Sequence, residues 1–161
     1  MNYRQEYEKW LASPALSEDE RNELKAIAND EKEIENRFYG PLEFGTAGLR
    51  GTMYVGLHNM NRHVIRWATQ GFANVIRAEG EEAMKKGVAI CMDCRNHSME
   101  FARAAACVMA GNGIIVKLFE SLRPTPELSF AVREYGCEAG INVTASHNPK
   151  EYNGYKVYWS D

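Results

Sequence analysis

From residue 61 onward the chain alternates amphipathic helical stretches with short apolar runs, and this alternation constrains the fold more than any other feature. Asn61 is placed to cap a helix whose Val64, Ala68, Phe72, Val75 and Ile76 recur at helical spacing, with Gly80 as its stop. Val88–Met92 reads as a short buried strand. Ser98 can cap the next helix, which carries Phe101, Ala105, Val108 and Met109 on one face and ends at Gly111-Asn112-Gly113. A strand follows over 114–119. Thr125 then serves as N-cap and Pro126 as first helical residue of a third helix, with Leu128, Ala131, Val132 and Tyr135 on its buried face. Strands over 141–144 and 155–159 complete the pattern. Trp67, Phe72 and Phe101 fall at core positions. Helix and strand in this order imply an α/β fold: a layered α/β/α domain with a mixed, largely parallel sheet.

Residues 1–40 are different. They are highly charged, read as helical, and carry a capping-box pattern at Ser17 and Glu20 ahead of Leu24, Ile27 and Ala28. This helical arm contains no recognisable chemistry and is expected to pack on the outside of the domain formed by 41–161. Between the two lies Phe44-Gly45-Thr46-Ala47-Gly48-Leu49-Arg50-Gly51-Thr52, with glycine at every third position. Such spacing suits an open strand or loop that lets backbone approach a ligand.

Composition narrows the function classes. Of the 161 residues, 25% are charged and the formal net charge is −3, with no basic block to suggest nucleic acid or an anionic membrane as partner. No apolar run is long enough to span a bilayer, and the first ten residues lack the apolar segment of a secretory signal, so the expected location is cytoplasmic. Cys91 and Cys94 have C-x-x-C spacing, but no second pair completes a zinc site, so these two, Cys107 and Cys137 are expected to be buried, reduced thiols. His58 and His63 are expected at the surface or in caps.

The chemistry concentrates near the C-terminus. Ala139-Gly140-Ile141-Asn142-Val143 runs into Thr144-Ala145-Ser146-His147-Asn148-Pro149, followed by Tyr152-Asn153-Gly154-Tyr155-Lys156. This places a serine on a polar turn at a strand end, a histidine beside it and a lysine ten residues on. A neutral serine hydroxyl is a weak nucleophile. A phosphorylated Ser146 would instead carry about −1.5 to −2 charges and three strong acceptor oxygens, and would need cations around it. His147, Lys156 and Arg50 are the candidates. Gly-x-Ser-x-Gly is absent, which disfavours a serine hydrolase. Asp93-Cys94-Arg95 reads as an Asp–Arg pair closing a loop.

The segments F-G-T-A-G-L-R-G (44–51), P-T-P-E-L (124–128) and T-A-S-H-N-P-x-x-Y-N-G-Y-K (144–156) together resemble the α-D-phosphohexomutases, the phosphoglucomutase and phosphomannomutase family. The resemblance covers 42–160 and is strongest to the phosphoglucomutase and phosphopentomutase branch. It implies that Ser146 carries the phosphate and is the chain's one contact with Mg2+, that Lys156 is the general acid/base, and that His147 and Arg50 belong to the active site. Asp93-Cys94-Arg95 also matches an Asp-x-Arg segment of the family, which leaves a functional reading beside the loop-closing pair, whereas Asn96-His97-Ser98 departs from the family's usual His-Asn-Ser and leaves His97 without an implied role.

Members of that family have four domains, and the resemblance covers only the first. No D-x-D-x-D magnesium loop occurs in this sequence, and the chain stops directly after a strand. The expectation is therefore a fragment, inactive alone, whose partners are a small sugar phosphate and the other domains of its own full-length chain. The implied activity is interconversion of glucose 1-phosphate and glucose 6-phosphate through a bisphosphate. Pentose or mannose phosphate, a phosphatase, and a non-catalytic sugar-phosphate-binding protein remain as alternatives.

Overall fold

A computed structural model of the protein describes residues 2–46 and 48–160. Met1, Ala47 of the glycine-rich motif, and Asp161 lie outside the described residues. Three short helices form the arm: α1 (Tyr3–Leu11), α2 (Glu18–Ala26) and α3 (Glu31–Phe38). Each begins on a side-chain cap, from Asn2, Ser17 and Asp30 respectively. The Ser17–Glu20 capping box forms in full, satisfying two backbone donors that the helix itself leaves free. Tyr7, Leu16, Leu24, Ile34 and Phe38 bury against one another and against Val55 and Leu57 of the main domain. Burying a side chain such as Leu24 or Ile34 contributes about 1.5–3 kcal/mol, which is how so polar a segment stays docked.

Polar contacts fix the docking. The Glu23 carboxylate accepts from the Val55 N–H at 2.9 Å and from Arg37 Nη1 at 2.6 Å. The Glu20 carboxylate accepts from Arg62 at 2.6 Å and meets His63 Nε2 at 3.1 Å. His63, expected at the surface or in a cap, has its N–H in the cap formed by Asn61, while its ring is half-buried between arm and domain, edge-on to Trp10. His58 is half-buried, with its ring between Tyr39 Oη at 2.6 Å and the Gly40 carbonyl at 3.2 Å.

The main domain comprises β1 (Leu49–Thr52), α4 (Arg62–Ala78), α5 (Glu81–Lys86), β2 (Val88–Met92), α6 (Ser98–Gly111), β3 (Val116–Leu118), α7 (Thr125–Glu134), β4 (Ala139–Val143) and β5 (Tyr152–Trp159). One sheet of order β1-β5-β4-β2-β3 forms. β3, β2 and β4 are mutually parallel, while β5 runs antiparallel to both β4 and β1. Four of the five strands thus point the same way. One face packs against α4 and α6 through Leu49, Ile90, Met92, Ile141, Val143 and Tyr155. On the other, Leu128 and Val132 of α7 meet Ala89 and Cys91. This is the expected α/β/α layering.

Several local expectations need correction. Trp67, Val75 and Tyr135 are 61%, 50% and 56% exposed, so the helical spacing overestimated the buried faces of α4 and α7. α6 begins on His97 in the left-handed region (φ 61°), and the Ser98 hydroxyl donates to Asp93 at 2.8 Å instead of capping. Pro124, not Thr125, precedes α7, because the Thr125 hydroxyl accepts from Asn142 at 2.7 Å. Cys91 and Cys137 are buried, but Cys94 and Cys107 are exposed. α5 has no signature in the apolar pattern: its two turns of Glu and Lys bury only Ala83.

Candidate active site

Ser146 stands just past β4, at the carboxyl edge of the parallel strands, where open α/β sheets bind ligands. It is exposed, and its backbone is left-handed at φ 56°. A non-glycine residue in that region is uncommon, costs of order 1–3 kcal/mol, and persists where its surroundings hold it. The holding contacts are visible. Ser146 N donates to Thr144 Oγ1 at 3.0 Å, Asn148 N to the Ala145 carbonyl at 3.1 Å, and Tyr152 N to the Pro149 carbonyl at 3.0 Å. The result is a hydrogen-bonded double turn that leaves Ser146 exposed. His147 lies beside it, with Nδ1 3.4 Å from Ser146 Oγ, and is itself exposed.

Arg95 reaches this loop from the segment after β2. Its Nη2 donates to the carbonyls of Ser146 and Asn148 at 2.7 and 2.6 Å, and its Nη1 to those of Pro149 and Tyr152 at 2.8 and 3.0 Å. The Asp–Arg pair expected from sequence is present but long, at 3.5 Å. What matters is the carbonyl clamp. Asn153, fully buried, adds a second tie by donating to the Asn96 carbonyl and to Ser98 Oγ, both at 3.0 Å. Sequence reasoning missed Asn153 and undervalued Arg95. The available signal was an Asp-x-Arg following one parallel strand beside a serine turn following its neighbour.

Arg50 and Lys156 belong to adjacent strands. Arg50 pairs with Gly154, and Lys156 lies two residues further along the same face of β5, opposite Asn142. That face is the one away from Tyr155 and the main core, and α7 covers it over β2 and β4, to one side of both cations. Arg50 and Lys156 are half-buried, and among the described residues neither makes a side-chain hydrogen bond or ion pair. Every other half-buried or buried lysine or arginine has such a partner. Two cations held without counter-charge are suited to an incoming anion. They do not share one depression, however. Lys156 lines a shallow groove of about 430 Å³ with Phe44, Gly45 and Tyr158, and Arg50 lines one of about 320 Å³ with Tyr54, Asn59 and Tyr152.

Close backbone approach explains two glycines. A Cβ on Gly48 (φ 85°) would lie 2.3 Å from the Tyr155 carbonyl oxygen, and one on Gly154 would lie 2.4 Å from that of Thr144. Both glycines let the strand bearing Lys156 sit flush against its neighbours. Among the described residues no group of three or more His, Cys, Asp or Glu side chains is arranged to hold a metal.

The fold and site define an α/β/α domain that displays a left-handed, exposed serine at the carboxyl edge of its sheet, with unpaired Arg50 and Lys156 on the two strands beyond β4. Comparison with known proteins places it more narrowly. The family described as phosphoglucomutase/phosphomannomutase, alpha/beta/alpha domain I, matches residues 41–161. A phosphopentomutase of Pongo abelii is 43% identical over 138 residues, which is 82% of this chain and 22% of that protein. A phosphoglucomutase of Staphylococcus aureus (strain MRSA252) is 43% identical over 140 residues, 86% of this chain and 25% of that one. Among solved structures, a Thermus thermophilus protein provisionally named a phosphomannomutase superposes with a TM-score of 0.68 at 33% identity, covering 75% of this chain and 26% of its own. The chain belongs to the phosphoglucomutase/phosphomannomutase family, and it spans about a quarter of the length of these relatives. No helix among the described residues is long and apolar enough to cross a membrane.

Proposed function

We propose that this chain is the phosphate-carrying domain of a phosphosugar mutase, with Ser146 as the carrier. The observation that carries this reading is the left-handed, outward-facing Ser146 at the end of β4, with unpaired Arg50 and Lys156 on neighbouring strands. In the forward half-reaction a sugar hydroxyl oxygen attacks the phosphorus on Ser146, and the bond from phosphorus to Oγ breaks. The hydroxyl proton passes to Lys156 acting as general base, and the departing Ser146 Oγ takes up a proton, for which His147, with Nδ1 3.4 Å away, is the neighbouring donor. The resulting bisphosphate turns over in the cleft and returns its other phosphate to Ser146 Oγ. Arg50 and His147 offset the charge on the phosphoryl oxygens.

Magnesium, when bound, would neutralise charge on the transferring phosphate. This chain would contribute the Ser146 phosphate to it, and the remaining ligands would come from elsewhere in the full-length protein. The proposed partners are accordingly a sugar phosphate and the other domains of that protein.

The proposed sugar is glucose, carried between its 1- and 6-phosphates. A pentose phosphate is the second reading, supported by the equal identity of this chain to a phosphopentomutase and to a phosphoglucomutase. The test is turnover by the full-length protein with the 1-phosphates of glucose, mannose, ribose and deoxyribose, in magnesium and with a sugar bisphosphate. One favoured sugar, with activity lost in Ser146→Ala, is the expected result. Turnover that survives Ser146→Ala would remove Ser146 from the mechanism. Release of inorganic phosphate without isomerised product would replace the mutase reading with a phosphatase.

A further inference from the structure

We infer that Arg95 is the positioning residue of the Ser146 loop, setting the aim of the serine oxygen without itself touching the transferring group. The inference rests on the reading of Ser146 as phosphate carrier. Arginine has five N–H donors in a fixed planar fork. Here four are within 3.0 Å of the carbonyl oxygens of Ser146, Asn148, Pro149 and Tyr152, and the fifth, on Nε, faces Asp93 Oδ2 at 3.5 Å. The bonded carbonyls span the serine loop from the serine itself to the start of β5. One side chain therefore fixes both ends of the turn.

The clamp is itself held. Asp93 Oδ1 accepts from the Arg95 N–H at 3.0 Å and from the Ser98 hydroxyl at 2.8 Å. Ser98 Oγ accepts in turn from Asn153 Nδ2, and Asn153 Oδ1 accepts from Gly154 N at 2.8 Å. The network runs from the end of β2 through the start of α6 to β5 and closes on the loop. The Arg95 side chain is 12% exposed, so these bonds form in a partly desolvated setting where a charged donor counts for more. Ser146 cannot rest in its left-handed conformation for free, and Arg95 Nη2 bonds the carbonyl of that same residue. Lysine cannot replace this arrangement, because three donors on one nitrogen cannot reach four diverging carbonyls.

The test uses the full-length protein with Arg95→Lys and Arg95→Gln, alongside Ser146→Ala. Three experiments are run: steady-state kinetics for kcat and KM with the sugar phosphate, phosphate occupancy of Ser146 after incubation with a sugar bisphosphate, and amide exchange across 144–152 and across β2 and β4. Displacing a reacting atom by about 1 Å costs about 100-fold in rate. Both Arg95 variants should therefore lose about 100-fold in kcat with KM within threefold of the parent. They should show slower Ser146 phosphorylation and faster exchange in the loop, with exchange in β2 and β4 unchanged. A kcat within threefold of the parent in either variant would overturn the inference. So would loss of protection in β2 and β4 together with the loop, which would make Arg95 a stability residue. If Ser146→Ala retains activity, the carrier reading itself fails. If Ser146→Ala is inactive and the Arg95 variants are normal, only the role given to Arg95 fails.

Discussion

Replacing Gly154 by alanine should damage this domain out of proportion to the single methyl added. The new Cβ would lie 2.4 Å from the Thr144 carbonyl oxygen and 2.9 Å from that of Leu49, against about 3.4 Å for ordinary contact. Both obstacles are backbone, so no side-chain rotation relieves them, and a shift of about 1 Å is needed. Two movements can supply it. β5 can withdraw, taking Lys156 with it, or Thr144 can, taking Ser146 through its hydrogen bond to Thr144 Oγ1. Overpacking of this kind costs about 1–3 kcal/mol. For a chain of this size that lowers Tm by roughly 2–4 °C per kcal/mol. Either movement also misaligns serine and lysine, so kcat of the full-length protein should fall about 100-fold. The matched control is Gly71→Ala in α4, where an added Cβ meets nothing within 4 Å and the helix should gain about 0.5–1 kcal/mol. Thermal unfolding of the chain and turnover of the full-length protein check both substitutions. Gly154→Ala with the parent's Tm and kcat would refute the claim that flush packing of β5 sets the site.

Two further outcomes follow from the burial and ionisation of particular side chains. In the native chain, Cys94 and Cys107 should react with an aromatic disulfide reagent, while Cys91, whose thiol burial pushes up to about 12, and buried Cys137 should react only on unfolding; four rapid thiols would contradict the packing described. Burial opposes ionisation of Glu20, but bonds from Ser17 N–H and Arg62, together with the nearby His63, outweigh it and hold the carboxyl below its ordinary range. A depressed folded pKa stabilises fully above the unfolded value of about 4.3 and is lost as pH falls through the folded one. Burial also lowers His63, against the pull of Glu20, so near neutrality their contact is a hydrogen bond with neutral imidazole, and charging it in acid acts in the same direction. Stability of arm docking should decline in acid and the acid limb should flatten in Glu20→Gln, measured by arm proteolysis against pH; an unchanged profile in Glu20→Gln would remove this pair as its cause.

Much of the fold was legible because apolar periodicity reports which face of an element is buried. The strands β2 and β4, the helices α4, α6 and α7, and the caps at Ser17 and Asn61 all follow from that pattern. Trp67 and Tyr135 were misjudged because periodicity marks a face and not how far a neighbouring element extends over it. Ser98 and Thr125 look like caps locally, but tertiary partners on Asp93 and Asn142 claim their hydroxyls. At the site, Ser146 and His147 were singled out from the loop itself, and the structure sets them side by side on an exposed turn. The Arg95 clamp was not, since its four acceptors are main-chain carbonyls more than 50 residues away and carry no residue signature.

The most direct measurement is to incubate the full-length protein with a sugar bisphosphate carrying radiolabelled phosphate and map the label to a residue. The account predicts one phosphate, on Ser146, discharged again by sugar monophosphate and absent from Ser146→Ala. Label on another residue, or a protein that turns over substrate while Ser146 never takes up phosphate, would contradict it.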